Sequence, residues 1–133
     1  MNTRFLGVVC LLSLLIVSAF GKITGFENHV NMIYSKIGFN YLPKWFSQLT
    51  IIVVIVLLFI GSALLLVTSF TDTMKKYETM NKITVCGFIM FLVLATLYFH
   101  NIIVNPSEKY NFLKNLSIIG GLILLFESIG KCN

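Results

Sequence analysis

WFSQLTIIVVIVLLFIGSALLLVTSFT, from Trp45 to Thr71, runs for 27 residues without a charged side chain. Roughly 20 apolar helical residues cross the ~30 Å hydrocarbon core of a bilayer, so this stretch spans it with length left for a tilt. A soluble core helix of that length carries a polar stripe. Here only small or weakly polar residues interrupt, among them Gly61, Ser62, Ala63 and Thr68. The chain reads as an integral membrane protein.

Composition agrees. Of the 133 residues 57% are hydrophobic and 11% charged, against about 25% charged in soluble domains. One domain, residues 1–133, uses up the length. A net charge of +5 would suggest nucleic acid in a soluble protein. These lysines instead sit in loops and at span ends, where they meet anionic headgroups or set orientation. No basic helix face or aromatic platform suits a nucleic-acid strand, so membrane lipid is the expected partner and nucleic acid is not. Cys10, Cys86 and Cys132 form no CxxC pair and no zinc spacing. They are expected to be two buried small hydrophobes and a terminal thiol. A Cys86–Cys132 disulfide would need an oxidising face.

Outward from the long run, three further apolar segments appear. FLGVVCLLSLLIVSAFG follows Arg4 and admits two readings. It is a signal peptide, with Val17-Ser18-Ala19 before the cut, or a first span over about 4–22, lengthened by a snorkelling Lys22. Next, Phe26, Val30, Ile33 and Ile37 recur at helical spacing, with Glu27, Asn28, Asn31 and Lys36 on other faces. That pattern predicts an amphipathic helix over about 26–38 at the membrane surface, ended by Gly38 and Asn40. Tyr34, Tyr41 and Trp45 are placed as interfacial aromatics. The second span covers about 46–70, and Thr71 to Lys82 is a polar turn. The third covers about 83–104, with His100 near its exit and Asn105-Pro106 as the break. The fourth, about 112–130, is short of apolar length: Asn115 to Phe126 is its whole uncharged stretch. Neighbouring helices must help it in, and Gly61, Ser117, Gly120 and Gly121 are the expected points of close helix packing.

The predicted fold class is an all-α membrane protein: an antiparallel four-transmembrane-helix bundle with an amphipathic interfacial helix in the first loop. An even span count puts both ends on one face. Lysine and arginine numbers tie between the faces; the density of Lys75, Lys76 and Lys82 in one turn points to the cytoplasm for that face.

Under this topology the first and third loops share a surface. Lys22, Glu27, His29, His100, Asn101, Lys114 and Asn115 gather there, a candidate site for a headgroup, a quinone ring or a partner loop. The competing reading is that these residues snorkel, cap helix ends and hold the loops together. His29 reads as a wetted surface histidine; His100, ending an apolar span, is the better placed of the two. No i, i+4 histidine pair supports a metal. No nucleophile elbow, phosphate loop or HExxH motif is present, so no catalytic residue is assigned and no intrinsic cofactor is expected.

GKITGFENHVNMIYSKIGF, the LP before the second span, FIMFLVLATLYFHN and EKYNFLKNLSIIGGLILL together resemble the DoxX family, from about Arg4 to Phe126. The resemblance implies a four-span bundle with the first helix retained. It carries over Lys22, Gly25, Phe26, His100, Asn101, Phe112, Lys114, Asn115, Gly120 and Gly121 as family positions. Many relatives place an acid in the second span about where this chain has Leu58, a departure that counts against any proton- or cation-linked role resting on that carboxylate. The family takes its name from membrane subunits of thiosulfate:quinone oxidoreductases, with distant relatives similar to Surfeit-locus cargo receptors. It is functionally mixed. The function expected is a non-catalytic accessory or anchor subunit of a quinone-linked membrane redox system, with quinone or lipid as ligand and a protein complex as partner. The alternatives are a receptor or adaptor binding cargo through the first loop, or a small lipid- or solute-handling protein. A bacterial inner membrane or a eukaryotic organelle membrane would house it.

Overall fold

The computed structural model describes residues 3–36, 43–100, 103, 105–129 and 131. Among these, every regular element is helical. Helix α1 covers Thr3–Thr24, α2 Phe26–Lys36, α3 Lys44–Phe70, α4 Glu78–Phe99 and α5 Lys109–Ile129, the last preceded by a 3₁₀ turn at Pro106–Glu108. Four of them, α1, α3, α4 and α5 with its leading turn, are long and apolar enough to cross a membrane. The chain is a multi-pass integral membrane protein whose helices meet lipid.

Each long helix buries one stripe at coiled-coil spacing. Val8, Leu12, Leu15 and Ala19 of α1 face Leu58 and Leu65 of α3, with Val85, Phe88 and Leu92 of α4 and Ile118, Leu122, Leu125 and Ile129 of α5 completing one core. Helix α1 packs mainly on α3 and α4 mainly on α5, with α3 against α4 joining the pairs; α1 and α5 touch far less. Phe5 meets Phe70 edge-on at 5.5 Å and Phe20 meets Phe59 at 5.2 Å, so the start of α1 lies by the end of α3.

Helix α2 continues almost directly from α1. Gly25 N–H donates to Gly21 O and His29 N–H to Gly25 O, both at 3.0 Å. Val30 and Ile33 are buried against Ile51, with Phe26, Ile55 and Phe99 around them. The amphipathic pattern thus finds its apolar partner on α3. Gly38, Asn40 and Tyr41, expected to end this helix and flank the membrane, lie outside the described residues.

Helix α3 stops where Thr73 N–H bonds Thr68 O at 2.9 Å, with Asp72 at φ 55°. This is the left-handed closure that caps many helices. The third span begins earlier and ends earlier than the expected 83–104. It starts at Glu78 because buried Asn81 is satisfied there: its Nδ2 donates to Met74 O at 3.2 Å and its Oδ1 accepts from Thr68 Oγ1 at 3.2 Å. It ends at Phe99, six residues before the proline-marked break. Asn105 opens the 3₁₀ turn instead, accepting from Ser107 N–H at 3.3 Å with Pro106 behind it.

Candidate functional site

The end of α4, the 3₁₀ turn and the start of α5 form a polar knot. His100 Nδ1 and Glu108 Oε2 are 2.7 Å apart, and Asn111 Nδ2 donates to the same oxygen at 2.8 Å. Lys114 Nζ reaches Asn111 Oδ1 at 3.5 Å, a long contact. One turn deeper, buried Asn115 donates from Nδ2 to Thr96 Oγ1 at 3.0 Å, while that hydroxyl donates to Leu92 O at 2.6 Å. Asn115 therefore fastens α5 to α4 through its side-chain amide.

Lys22 approaches from α1. Its ammonium donates to Ser18 Oγ at 2.8 Å and lies 5.2 Å from the centre of the Phe91 ring. The side chain thus folds back along its own helix toward the apolar interior. Lys114 is within electrostatic reach of it. His29, on α2, is held below the usual histidine pKa, by burial first and then by the charge of Lys22. Glu27 stands apart: it pairs with Lys44 at 3.3 Å on an exposed surface and ties α2 to the start of α3.

The expected cluster therefore divides. Lys22 is within electrostatic reach of His29 and of Lys114; His100 joins Lys114 through Glu108 and Asn111; Asn115 and Glu27 tie helices together; Asn101 lies outside the described residues. Thr96, Glu108, Asn111 and Ser18 were not singled out from the sequence. The local signal for two of them was there, since Glu108 and Asn111 stand three apart and Asn111 and Asn115 four apart at the head of an apolar run.

The expected packing residues divide as well. Gly61 is buried, and a Cβ on it would sit 2.8 Å from Phe88 Cζ and 2.8 Å from Thr84 Cγ2. Gly121 meets only the tip of Leu11, at 2.8 Å. Gly120, one helical step round, faces open space with nothing within 4 Å of an added Cβ, so it makes no close helix contact. Ser117 is exposed, its hydroxyl bonded back to Leu113 O at 2.9 Å. Cys10 and Cys86, expected as buried hydrophobes, are free and exposed. They fall between the buried positions of their helices. Cys132 lies outside the described residues.

Where α1 and α5 diverge, an apolar groove of about 560 Å³ opens, with Gly7, Leu11, Leu14, Ser117 and Gly121 along it and Lys114 as its one charged side chain. Among the described residues no three histidine, cysteine, aspartate or glutamate side chains gather as metal ligands. What the site offers chemically is positive charge and hydrogen-bond donors beside an apolar trough. No protein-family model, curated protein or solved structure matches this chain.

Proposed function

We propose that this chain is a DoxX-like, non-catalytic subunit of a quinone-linked membrane redox complex, anchoring or completing a partner that carries the chemistry. In this reading the four long helices form an antiparallel bundle, α2 lies at the membrane interface, and the turn holding Lys75 and Lys76 faces the cytoplasm. One observation carries it: three groups of polar side chains at the span ends are bonded to one another across helices and turns. His100, Glu108 and Asn111 form one knot, Asn115 and Thr96 a second, Asn81 and Thr68 a third. Such pairs hold spans together where lipid offers no hydrogen bonds. They support a subunit built for assembly.

The first-loop arrangement favours this over a cargo receptor. A receptor working through the loop would present the apolar face of α2 to its cargo. Val30 and Ile33 are instead buried on α3.

The test is purification of tagged protein in mild detergent, with mass spectrometry of proteins and extracted quinone. A dehydrogenase, sulfurtransferase or respiratory subunit recovered in stoichiometric amount is the expected result. Recovery of secretory cargo or coat proteins without quinone, or of the chain alone, would overturn the reading.

A further inference from the structure

The α1/α5 seam is much looser than either the α1/α3 or the α4/α5 seam. Helix pairs α1·α3 and α4·α5 are tightly matched, but α1 and α5 leave the groove between them. In a bilayer that groove does not stay empty, because its walls are apolar and open to lipid tails. Its length is informative. From Lys114 to Ser128, the two ends of its α5 wall, a helix rises about 21 Å at 1.5 Å per residue. One leaflet of hydrocarbon is about 15 Å deep, half of the core thickness. The groove is long enough for one acyl chain.

Its charged end selects the head. Lys114 lines the groove, and Lys22 lies within electrostatic reach of it. Neither has an acid partner among the described residues. Lys22 is held by a hydroxyl and an aromatic face, and Lys114 by a long contact to an amide. The nearby acids are engaged elsewhere, Glu27 with Lys44 and Glu108 with His100 and Asn111. Lys114 is an exposed cation at the end of an apolar groove, and an anion beside it is favoured by its charge and by that of Lys22. A neutral quinone head is not.

We propose that the α1/α5 groove binds one anionic glycerophospholipid, an acyl chain lying along Gly7, Leu11, Leu14 and Gly121 and the phosphate pairing with Lys114 within the field of Lys22. This inference goes beyond the redox-subunit reading and stands without it, since it concerns the isolated chain.

The test uses delipidated full-length protein in mild nonionic detergent, titrated with palmitoyl-oleoyl phosphatidylglycerol or with phosphatidylcholine of the same chains and read by native mass spectrometry. Each lysine near a headgroup surface contributes modestly, so a pair predicts roughly ten- to thirtyfold preference for phosphatidylglycerol at one lipid per chain. Lys22→Gln/Lys114→Gln should erase that preference. Gly7→Leu, which leaves both lysines in place and fills open space in the groove, should weaken retention of both lipids. Inorganic phosphate should not displace the bound lipid. Equal retention of the two lipids, an undiminished preference in the double lysine variant, no effect of Gly7→Leu, or displacement by inorganic phosphate would each overturn the proposal.

Discussion

Asn115 and Thr96 join α5 to α4 through a buried hydrogen bond of 3.0 Å, and the two partners are not equivalent. The Thr96 hydroxyl keeps its bond to Leu92 O whatever Asn115 does. The Asn115 amide loses its Thr96 acceptor when the hydroxyl goes. An orphaned buried polar group costs about 1–3 kcal/mol, whereas interhelical hydrogen bonds within membranes average about 0.6 kcal/mol and reach about 1.7. Thr96→Val should therefore destabilise the protein more than Asn115→Leu. Denaturation in mixed micelles, followed by helical circular dichroism, checks the order; equal losses would mean that the amide finds another partner.

A second prediction separates three glycines that look alike in sequence. Gly61→Ala drives a methyl into the ring of fully buried Phe88 and into Thr84, and overpacking of this kind costs about 1–3 kcal/mol. Gly121→Ala meets only the end of the Leu11 side chain, which can turn aside. Gly120→Ala meets nothing and gains up to about 1 kcal/mol of helix propensity. Thermal unfolding in one detergent should rank them Gly120→Ala highest, then Gly121→Ala, then Gly61→Ala.

These glycines show where sequence reading succeeds and where it stops. Trp45 to Thr71 was legible because a bilayer selects by length and by absence of charge, and both are local properties. The amphipathic α2 was legible because its polar and apolar residues differ in kind, so Val30 and Ile33 declare their buried face. Inside the long helices that contrast vanishes. Leu58 is buried and Ile60 is exposed, yet both are equally apolar, since one outer face is lipid and the other is protein. Gly120 and Gly121 differ only in which of those faces they occupy. The polar residues are hard to read for another reason. Whether Asn115 is a ligand or a fastener depends on Thr96, 19 residues away, and nothing local announces that partner.

Asn81 gives a third prediction, read at the other end of the helices. Its side chain holds Met74 O and Thr68 Oγ1, and Met74 itself is buried. The intervening turn stays folded under that latch although Lys75 and Lys76 are exposed. Asn81→Leu removes both bonds, leaving Met74 O without this donor, while Thr68 keeps its bond to Leu64 O. Trypsin should cut after Lys75 or Lys76 faster in Asn81→Leu than in the wild type, by roughly five- to thirtyfold for a latch worth about 1–2 kcal/mol. Unchanged cleavage would show that the buried Met74 side chain holds the turn without the amide.

The last prediction concerns His29, whose pKa lies below the usual histidine value through burial and the charge of Lys22. A histidine with a lowered folded-state pKa binds fewer protons folded than unfolded as pH drops past the unfolded value of about 6.5. Its contribution to stability is therefore full above about pH 6.5 and declines as the pH falls toward the folded pKa. His29→Gln should remove that share of acid sensitivity, leaving whatever the other titrating groups contribute. Lys22→Gln should act on the same titration differently. It deletes one of the two causes, so the His29 ring, followed by NMR of the micelle-embedded protein, should titrate at higher pH than in the wild type while staying below an exposed histidine, because burial remains. If Lys22→Gln leaves the His29 midpoint unmoved, the charge of Lys22 does not reach His29 and burial alone lowers its pKa.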